Sequence, residues 1–281
     1  MEKLTIVWQR PRTEVWEDDW IEYLFRNIPH DTIEDLNHNT YLDNSVIVES
    51  IWWAPHHSKY ISELHSRNYK FGLIHLSDER CCDDISSYTH CKFVMRNYYR
   101  GNLGKNVIHF PLGWNSGFTS VTTNPSAANR QHTWSFVGHR WDANRNVMAA
   151  AMITVPNNNI YVAEHHGPRL NASDMSKIYR NSIFVPCPRG AIHIDNFRVT
   201  EALEAGCIPI VERNDYWTTM YGTDIPILQI DSWNDVPALI ANLLTDIDNL
   251  DKLRLKCYNW WVNHKNKTVS EVTTLVTQTM E

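Results

Sequence analysis

Residues 182–211 constrain the fold of this chain more than any other stretch. An apolar run over 182–187 is followed by the turn Pro188-Arg189-Gly190. A helix signal comes next. Asp195 stands where an N-cap is expected, good helix formers run to Ala205, and Gly206 occupies the position of a C′ glycine. A second apolar run, 208–211, follows at once. Strand, turn, helix and strand in this order read as one βαβ unit of a parallel sheet. Such units hold ligands at the carboxyl ends of their strands, beside helix N-termini. Here that place carries Arg189, Arg198 and, one turn deeper, Glu201. Arg198 and Glu201 are three residues apart and share a helix face. Two guanidinium groups beside a helix start suit phosphate, and a carboxylate one turn on suits a sugar hydroxyl. The same Arg-x-x-Glu spacing is also that of an exposed ion pair worth about 0.3–0.5 kcal/mol.

The longer pattern narrows the choice. Pro188-Arg189-Gly190, then Phe197-Arg198-Val199-Thr200-Glu201-Ala202-Leu203, then Gly206-Cys207-Ile208-Pro209 resembles the signature of the exostosin-like glycosyltransferases of family 47. The match covers about thirty residues, and the rest of the chain agrees in order of elements and in short motifs. His75-Leu76-Ser77-Asp78-Glu79 and Arg96-Asn97-Tyr98-Tyr99-Arg100 look like soluble members of that family carried by large DNA viruses, and more distantly like its xylosyltransferases.

Apolar periodicity fixes the rest of the order. Strands are expected at 4–8, 45–53, 70–76, 91–97 and 107–110, with helices at 16–28 and 58–68. This makes a first α/β domain, residues 1–114, around a mostly parallel sheet of about five strands. Residues 115–131, rich in Asn, Ser, Thr and Pro, read as a linker. The pattern restarts in a second domain, 132–267. Its strands are expected at 133–137, 160–163, 182–187, 208–211 and 225–230, and its helices at 143–153, 173–179, 195–205, 236–244 and 250–261. A terminal segment, 268–281, is expected to pack back on the first domain. The fold class is therefore α/β, with two Rossmann-like domains facing a cleft, the GT-B arrangement. At 281 residues each domain is small for that class.

Several function classes are excluded. A net charge of −6 with scattered Lys and Arg argues against a nucleic-acid partner. No G-x-G-x-x-G and no G-x-x-x-x-G-K-[ST] occurs, which removes a dinucleotide fingerprint and a P-loop. No apolar run nears the ~20 residues of a membrane span, and residues 1–8 lead straight into a strand without a signal peptide. Six cysteines show no CxxC and no zinc spacing, so reduced thiols and a cytoplasmic setting are expected, the host-cell cytoplasm if the chain is viral. Asp246-Ile247-Asp248 has a D-x-D pattern at a helix junction far from the motif, so no metal is implied.

Glycosyl transfer needs charge for the departing diphosphate, a base for the acceptor hydroxyl, and alignment of the anomeric carbon. The resemblance assigns the diphosphate to Arg198 and ribose hydroxyls to Glu201. The turn Phe136-Val137-Gly138-His139-Arg140 offers a glycine that admits a phosphate to the backbone. Arg140, Arg145 and Arg189 could add charge, though a plain strand-to-helix turn with exposed arginines reads as well. For the base, Asp78 at the end of a buried strand is the first choice and Glu79 the reserve. Ser77 or Asp78 could equally be a helix N-cap. His56 and His57 are weaker candidates, and the aromatics of 96–100 suit packing as well as sugar binding. The expected activity is inverting, metal-independent transfer of a sugar from a UDP-sugar donor, UDP-xylose first, to a hydroxyl of a glycan or glycoprotein acceptor. A GDP-fucose-dependent GT-B enzyme and a non-catalytic sugar- or nucleotide-sugar-binding protein are the alternatives.

Overall fold

The computed structural model describes residues 3–50, 57–118, 124–139, 143–163 and 170–281. The chain forms two compact units, Met1–Leu112 with Lys265–Glu281, and Gly113–His264.

The first unit is built on a six-stranded parallel sheet in the order β2-β1-β3-β4-β5-β6. The strands are β1 (Leu4–Trp8), β2 (His30–Glu34), β3 (Ser45–Ser50), β4 (Phe71–Leu76), β5 (Val94–Arg96) and β6 (Val107–His109). Central strands read as continuous apolar runs because both faces are covered, and every residue of β4 is buried. Strand β2 was not expected from the sequence. Its segment His30-Asp31-Thr32-Ile33-Glu34 has no fully buried residue, since it is an edge strand held mainly by its ladder to β1. Helices α1 (Asp18–Phe25) and α2 (His57–Ser66) connect the strands. From α2, Tyr60, Ile61 and Leu64 pack with Val7, Ile47 and Phe71 of the sheet.

The second unit holds a five-stranded parallel sheet in the order β11-β10-β9-β7-β8. Its strands are β7 (His132–His139), β8 (Asn158–Ala163), β9 (Ser182–Pro186), β10 (Ile208–Glu212) and β11 (Leu228–Ile230). The helices are α3 (Ala143–Met152), α4 (Ala172–Arg180), α5 (Phe197–Glu204), α6 (Asp215–Tyr221) and α7 (Val236–Leu244). Residues 113–118 and 124–131, read as linker or its flank, belong to this unit. Trp114, Phe118 and Ala127 are buried, and Arg130 donates to the carbonyls of Ser182 and Ala205.

Two features differ from the sequence expectation. Helix α6 follows β10 where no helix is expected; Asn214 caps it by accepting from the Tyr216 amide at 2.8 Å. Residues 250–261 and 268–279, read as separate helices, are one helix α8 (Ile247–Met280). No Gly or Pro interrupts that stretch, and the polar run Asn263-His264-Lys265-Asn266-Lys267 is continued by the buried Thr268, Val269 and Val272. No helix among the described residues is long and apolar enough to cross a membrane. All six cysteines are free thiols.

Candidate functional site

The turn between β9 and α5 is shaped by short side chains. Gly190 is obligatory there, because a Cβ would come within 2.9 Å of the His193 carbonyl and 3.1 Å of the Asp195 carbonyl. The N-cap of α5 is Asn196, not Asp195 as the sequence suggested. Asn196 Oδ1 accepts from the Arg198 amide at 3.1 Å, and its Nδ2 donates to the Pro188 carbonyl at 3.1 Å. Asp195 is drawn inward instead. Its Oδ2 accepts from the hydroxyls of Tyr216 and Tyr221 at 2.9 Å each, tying the turn to α6. Burial pushes the Asp195 carboxyl up to about 6 against these hydrogen bonds.

Arg198 extends from the first turn of α5 across the end of β7. Its Nε donates to the Val137 carbonyl at 3.2 Å and its Nη1 to Asn196 Oδ1 at 3.1 Å. The guanidinium carbon lies 4.8 Å from the centroid of the Phe136 ring. Nη2 rests on Gly138, where a Cβ would meet it at 2.7 Å. The structure thus brings together Gly138 and Arg198, sixty residues apart in the sequence. Among the described residues no hydrogen bond occupies Nη2. Arg189 is exposed at the carboxyl end of β9, its amide donating to Glu212 Oε2 at 3.3 Å. Arg145 is placed differently from the expectation of a phosphate-binding cation. It is 3% exposed, and its Nη1 and Nη2 donate to the carbonyls of His139 at 2.9 Å and Arg189 at 3.1 Å. It therefore braces the Pro-Arg-Gly turn against the end of β7. Arg140 lies outside the described residues.

Glu201 is almost fully buried, and its Oε1 accepts from the amide and side-chain nitrogens of Asn115 at 3.2 and 3.0 Å. Burial raises its pKa despite these donors. Asn115 is a partner the sequence did not reveal, because it lies 86 residues away. Glu204, on the same helix, accepts from Trp261 Nε1 at 2.7 Å and is structural.

In the first unit, the loop after β4 presents a contrasting carboxylate. Asp78 is 1% exposed. Its Oδ2 accepts from Arg96 Nη2 at 2.6 Å, and its Oδ1 from the amides of Cys82 at 2.9 Å and Asp83 at 3.3 Å. Burial works to raise its pKa, but Arg96 and the two amides outweigh burial and hold it below the usual carboxylate range. A carboxylate so satisfied and so acidic is poorly suited to take a proton, contrary to the expectation that it serves as base. It also caps no helix. The reserve, Glu79, is half-buried beside it. His75, Asp78 and Asp83 bring ligand atoms within 4.8 Å of one another, a grouping that could hold a cation. The cation already there is the Arg96 guanidinium, which also donates to the Tyr88 hydroxyl at 3.1 Å. Arg96, Asn97 and Tyr98 are buried, in keeping with packing rather than sugar contact. His56 lies outside the described residues, and His57 opens α2. Asp246, of the D-x-D pattern, receives Asn249 N at 3.1 Å and Asn249 Nδ2 at 2.6 Å at the start of α8.

One titratable residue was not singled out from the sequence. Glu17, just before α1, is 5% exposed, and its Oε1 accepts from Asn97 Nδ2 at 3.2 Å. Burial pushes its pKa up to about 7, with the charge of Glu79 adding to the rise and its own backbone amide, Asn97 and Arg10 opposing it. In the sequence Glu17 is one of three consecutive acids, Glu17-Asp18-Asp19, an ordinary helix-start pattern that conceals its burial.

Comparison with solved structures gives this architecture its place. An α-glucosyltransferase in complex with UDP-glucose and DNA containing an abasic site superposes with a TM-score of 0.65 at 10% identity, covering 98% of this chain and 99% of that one. An α1,3-fucosyltransferase with GDP-fucose superposes with a TM-score of 0.54 at 10% identity, covering 99% and 90%. A DNA-modifying β-glucosyltransferase gives 0.55 at 9% identity, covering 97% and 98%. The fold is that of the GT-B glycosyltransferases. Similarity at this level of identity speaks to fold alone. No protein-family model matches the chain, and no curated protein matches it by sequence.

Proposed function

We propose that this protein is a glycosyltransferase that moves a sugar from a nucleoside-diphosphate donor to a hydroxyl acceptor. The observation that carries the proposal is the Arg198 guanidinium laid on Gly138, at the carboxyl end of β7 and the N-terminus of α5. A diphosphate placed there would accept from Nη2 and gain from the positive end of the helix. Arg189 supplies a second, exposed cation. Arg145 contributes by fixing the turn. Glu201, with Oε1 held by Asn115, offers Oε2 to ribose hydroxyls.

The exostosin-like motif at 188–209 favours a UDP-sugar, UDP-xylose first, and inversion at the anomeric carbon. Stabilisation of the leaving group by arginines and a helix N-terminus needs no metal ion in this reading. The fucosyltransferase with GDP-fucose supports a second donor class, GDP-fucose, on the same fold. Two of the solved relatives named above act on or bind DNA. The net charge of −6 favours a glycan acceptor here.

A thermal-shift panel of UDP, GDP, UDP-xylose, UDP-glucose and GDP-fucose tests the donor. A ligand at 100 times its Kd stabilises by about 2.7 kcal/mol. A shift with UDP-sugars and nucleotide release in the presence of glycan acceptors is the expected result. Binding without turnover on any acceptor would favour a nucleotide-sugar-binding protein, and no shift with any nucleotide would overturn the reading.

A further inference from the structure

We propose that Glu17 is the group that removes the acceptor hydroxyl's proton, and that the neighbouring Trp16 forms the platform for the acceptor ring. The inference rests on the glycosyl-transfer reading above and names the residue that completes it.

Three segments at carboxyl ends of the first sheet meet at this carboxylate. Glu17 follows β1, Ser77 and Glu79 follow β4, and Asn97 follows β5. Asn97 links them: its Oδ1 accepts from the Ser77 amide at 3.1 Å, and its Nδ2 donates to Glu17 Oε1 at 3.2 Å. The Ser77 bond fixes which way the amide points, so Nδ2 is the atom turned to Glu17. Ser77 itself is held at φ 69°, a backbone conformation that only a constrained loop imposes on serine. Among the described residues the carboxylate is thus aimed by a neutral donor and by no bonded cation. It also lies at the N-cap position of α1 without making a side-chain cap bond, so the helix does not consume it.

This is the opposite of Asp78, which is saturated by Arg96 and two amides. The charged groups acting on Glu17 are Arg10, which favours its ionised form, and Glu79, which opposes it. With burial added, the group titrates close to neutrality, where a carboxylate is basic enough to accept a proton and still ionised enough to do so often. Trp16, the preceding residue, is 51% exposed, the most accessible tryptophan among the exposed large apolar side chains. An indole face of this kind stacks on the C–H face of a sugar ring.

The step balances as follows. The acceptor O–H bond breaks and its proton goes to the Glu17 carboxylate. The acceptor oxygen forms a bond to the anomeric carbon of the donor sugar. The bond from that carbon to the diphosphate oxygen breaks, and its electron pair leaves with the nucleoside diphosphate.

The test uses the full chain and the Glu17→Gln variant, with UDP-xylose, UDP-glucose and GDP-fucose as donors and methyl glycosides of glucose, galactose and fucose as acceptors. Glu17→Gln removes a buried charge at constant shape, so its melting temperature at pH 8 should equal or exceed that of the wild type. Nucleotide release should fall by about 10²–10⁴-fold, the usual contribution of a positioned general base. Donor affinity by calorimetry should stay within about twofold. The wild-type rate should rise with pH to a plateau above about 7, and the variant should lose that rise. Trp16→Ala should raise the KM for acceptor with the donor Kd kept. A Glu17→Gln enzyme that keeps its rate or its pH profile while donor binding is intact overturns this assignment alone. A wild type that binds no nucleotide sugar, or binds one without turnover, overturns the transferase reading and this inference with it.

Discussion

Each sheet carries an arginine and a carboxylate at the carboxyl ends of its strands, and the two pairs are built in opposite ways. Arg96 and Asp78 are 0% and 1% exposed and bonded to each other at 2.6 Å. Arg198 and Glu201 share a helix face but spend their bonds elsewhere, Arg198 on Val137 and Asn196, Glu201 on Asn115. The closed pair answers its charges internally, and removing either partner would leave the other as a buried charge without its counter-charge. In the second pair Arg198 Nη2 and Glu201 Oε2 carry no hydrogen bond among the described residues, although Glu201 is itself only 2% exposed. Which residues flank a strand end matters less than whether their charges have already been answered within the protein.

The largest effect should come from opening the closed pair. Asp78→Ala leaves Arg96 buried without its counter-charge and should destabilise by about 3–5 kcal/mol, read as a lower urea midpoint. A variant that keeps its stability but loses turnover would instead make Asp78 the base and erase the contrast. The same pair predicts an acid sensitivity. Asp78 has a folded pKa below its unfolded value, so its contribution is present above the ordinary carboxylate range and is lost as pH falls through the depressed folded value. Glu17 has the reverse sign. Its folded pKa of about 7 lies above the unfolded one, so it lowers stability as pH rises between the two.

Arg198→Ala should weaken nucleoside-diphosphate binding by about 10- to 150-fold, the equivalent of about 1.5–3 kcal/mol for charge-assisted hydrogen bonds, with a much smaller change in stability. Calorimetry with UDP and GDP reads it, and unchanged affinity would remove the basis for the donor site. Gly138→Ala should cost about tenfold in the same assay, because its Cβ would displace Nη2 from 2.7 Å while leaving the charge in the molecule. In the Arg198→Ala background Gly138→Ala should add little, since the atom it collides with is gone. Asn196→Ala comes last, at about 1 kcal/mol of stability for a lost N-cap together with some loosening of the Arg198 guanidinium. A loss confined to stability would show that the cap does not position the arginine.

Local signals made much of this molecule legible. Apolar runs located the central strands because those strands are buried on both faces, and α7 was placed at its observed bounds of Val236–Leu244. The motif around α5 singles out Arg198 and the glycine near the end of β7 singles out Gly138, and the structure places the two side by side. The edge strand β2 and the short α6 escaped because neither carries an apolar period strong enough to stand out from loop sequence. The N-cap of α5 was misplaced by one residue because Asp195 and Asn196 are equally good caps in isolation. Only the two tyrosines of α6 decide between them, by taking Asp195 into the interior.

The sequence by itself determined the succession of parallel βα units and the residue types gathered at one strand end, because periodicity and capping act over a few residues. The tertiary structure decided what each charged residue is bonded to and how deeply it is buried. Glu17 is set by Asn97 from 80 residues away, Glu201 by Asn115 from 86, and Arg145 by the carbonyl of Arg189 from 44. Desolvation and hydrogen bonding, which move a carboxylate toward or away from neutrality, depend on those distant neighbours, and no local pattern records them.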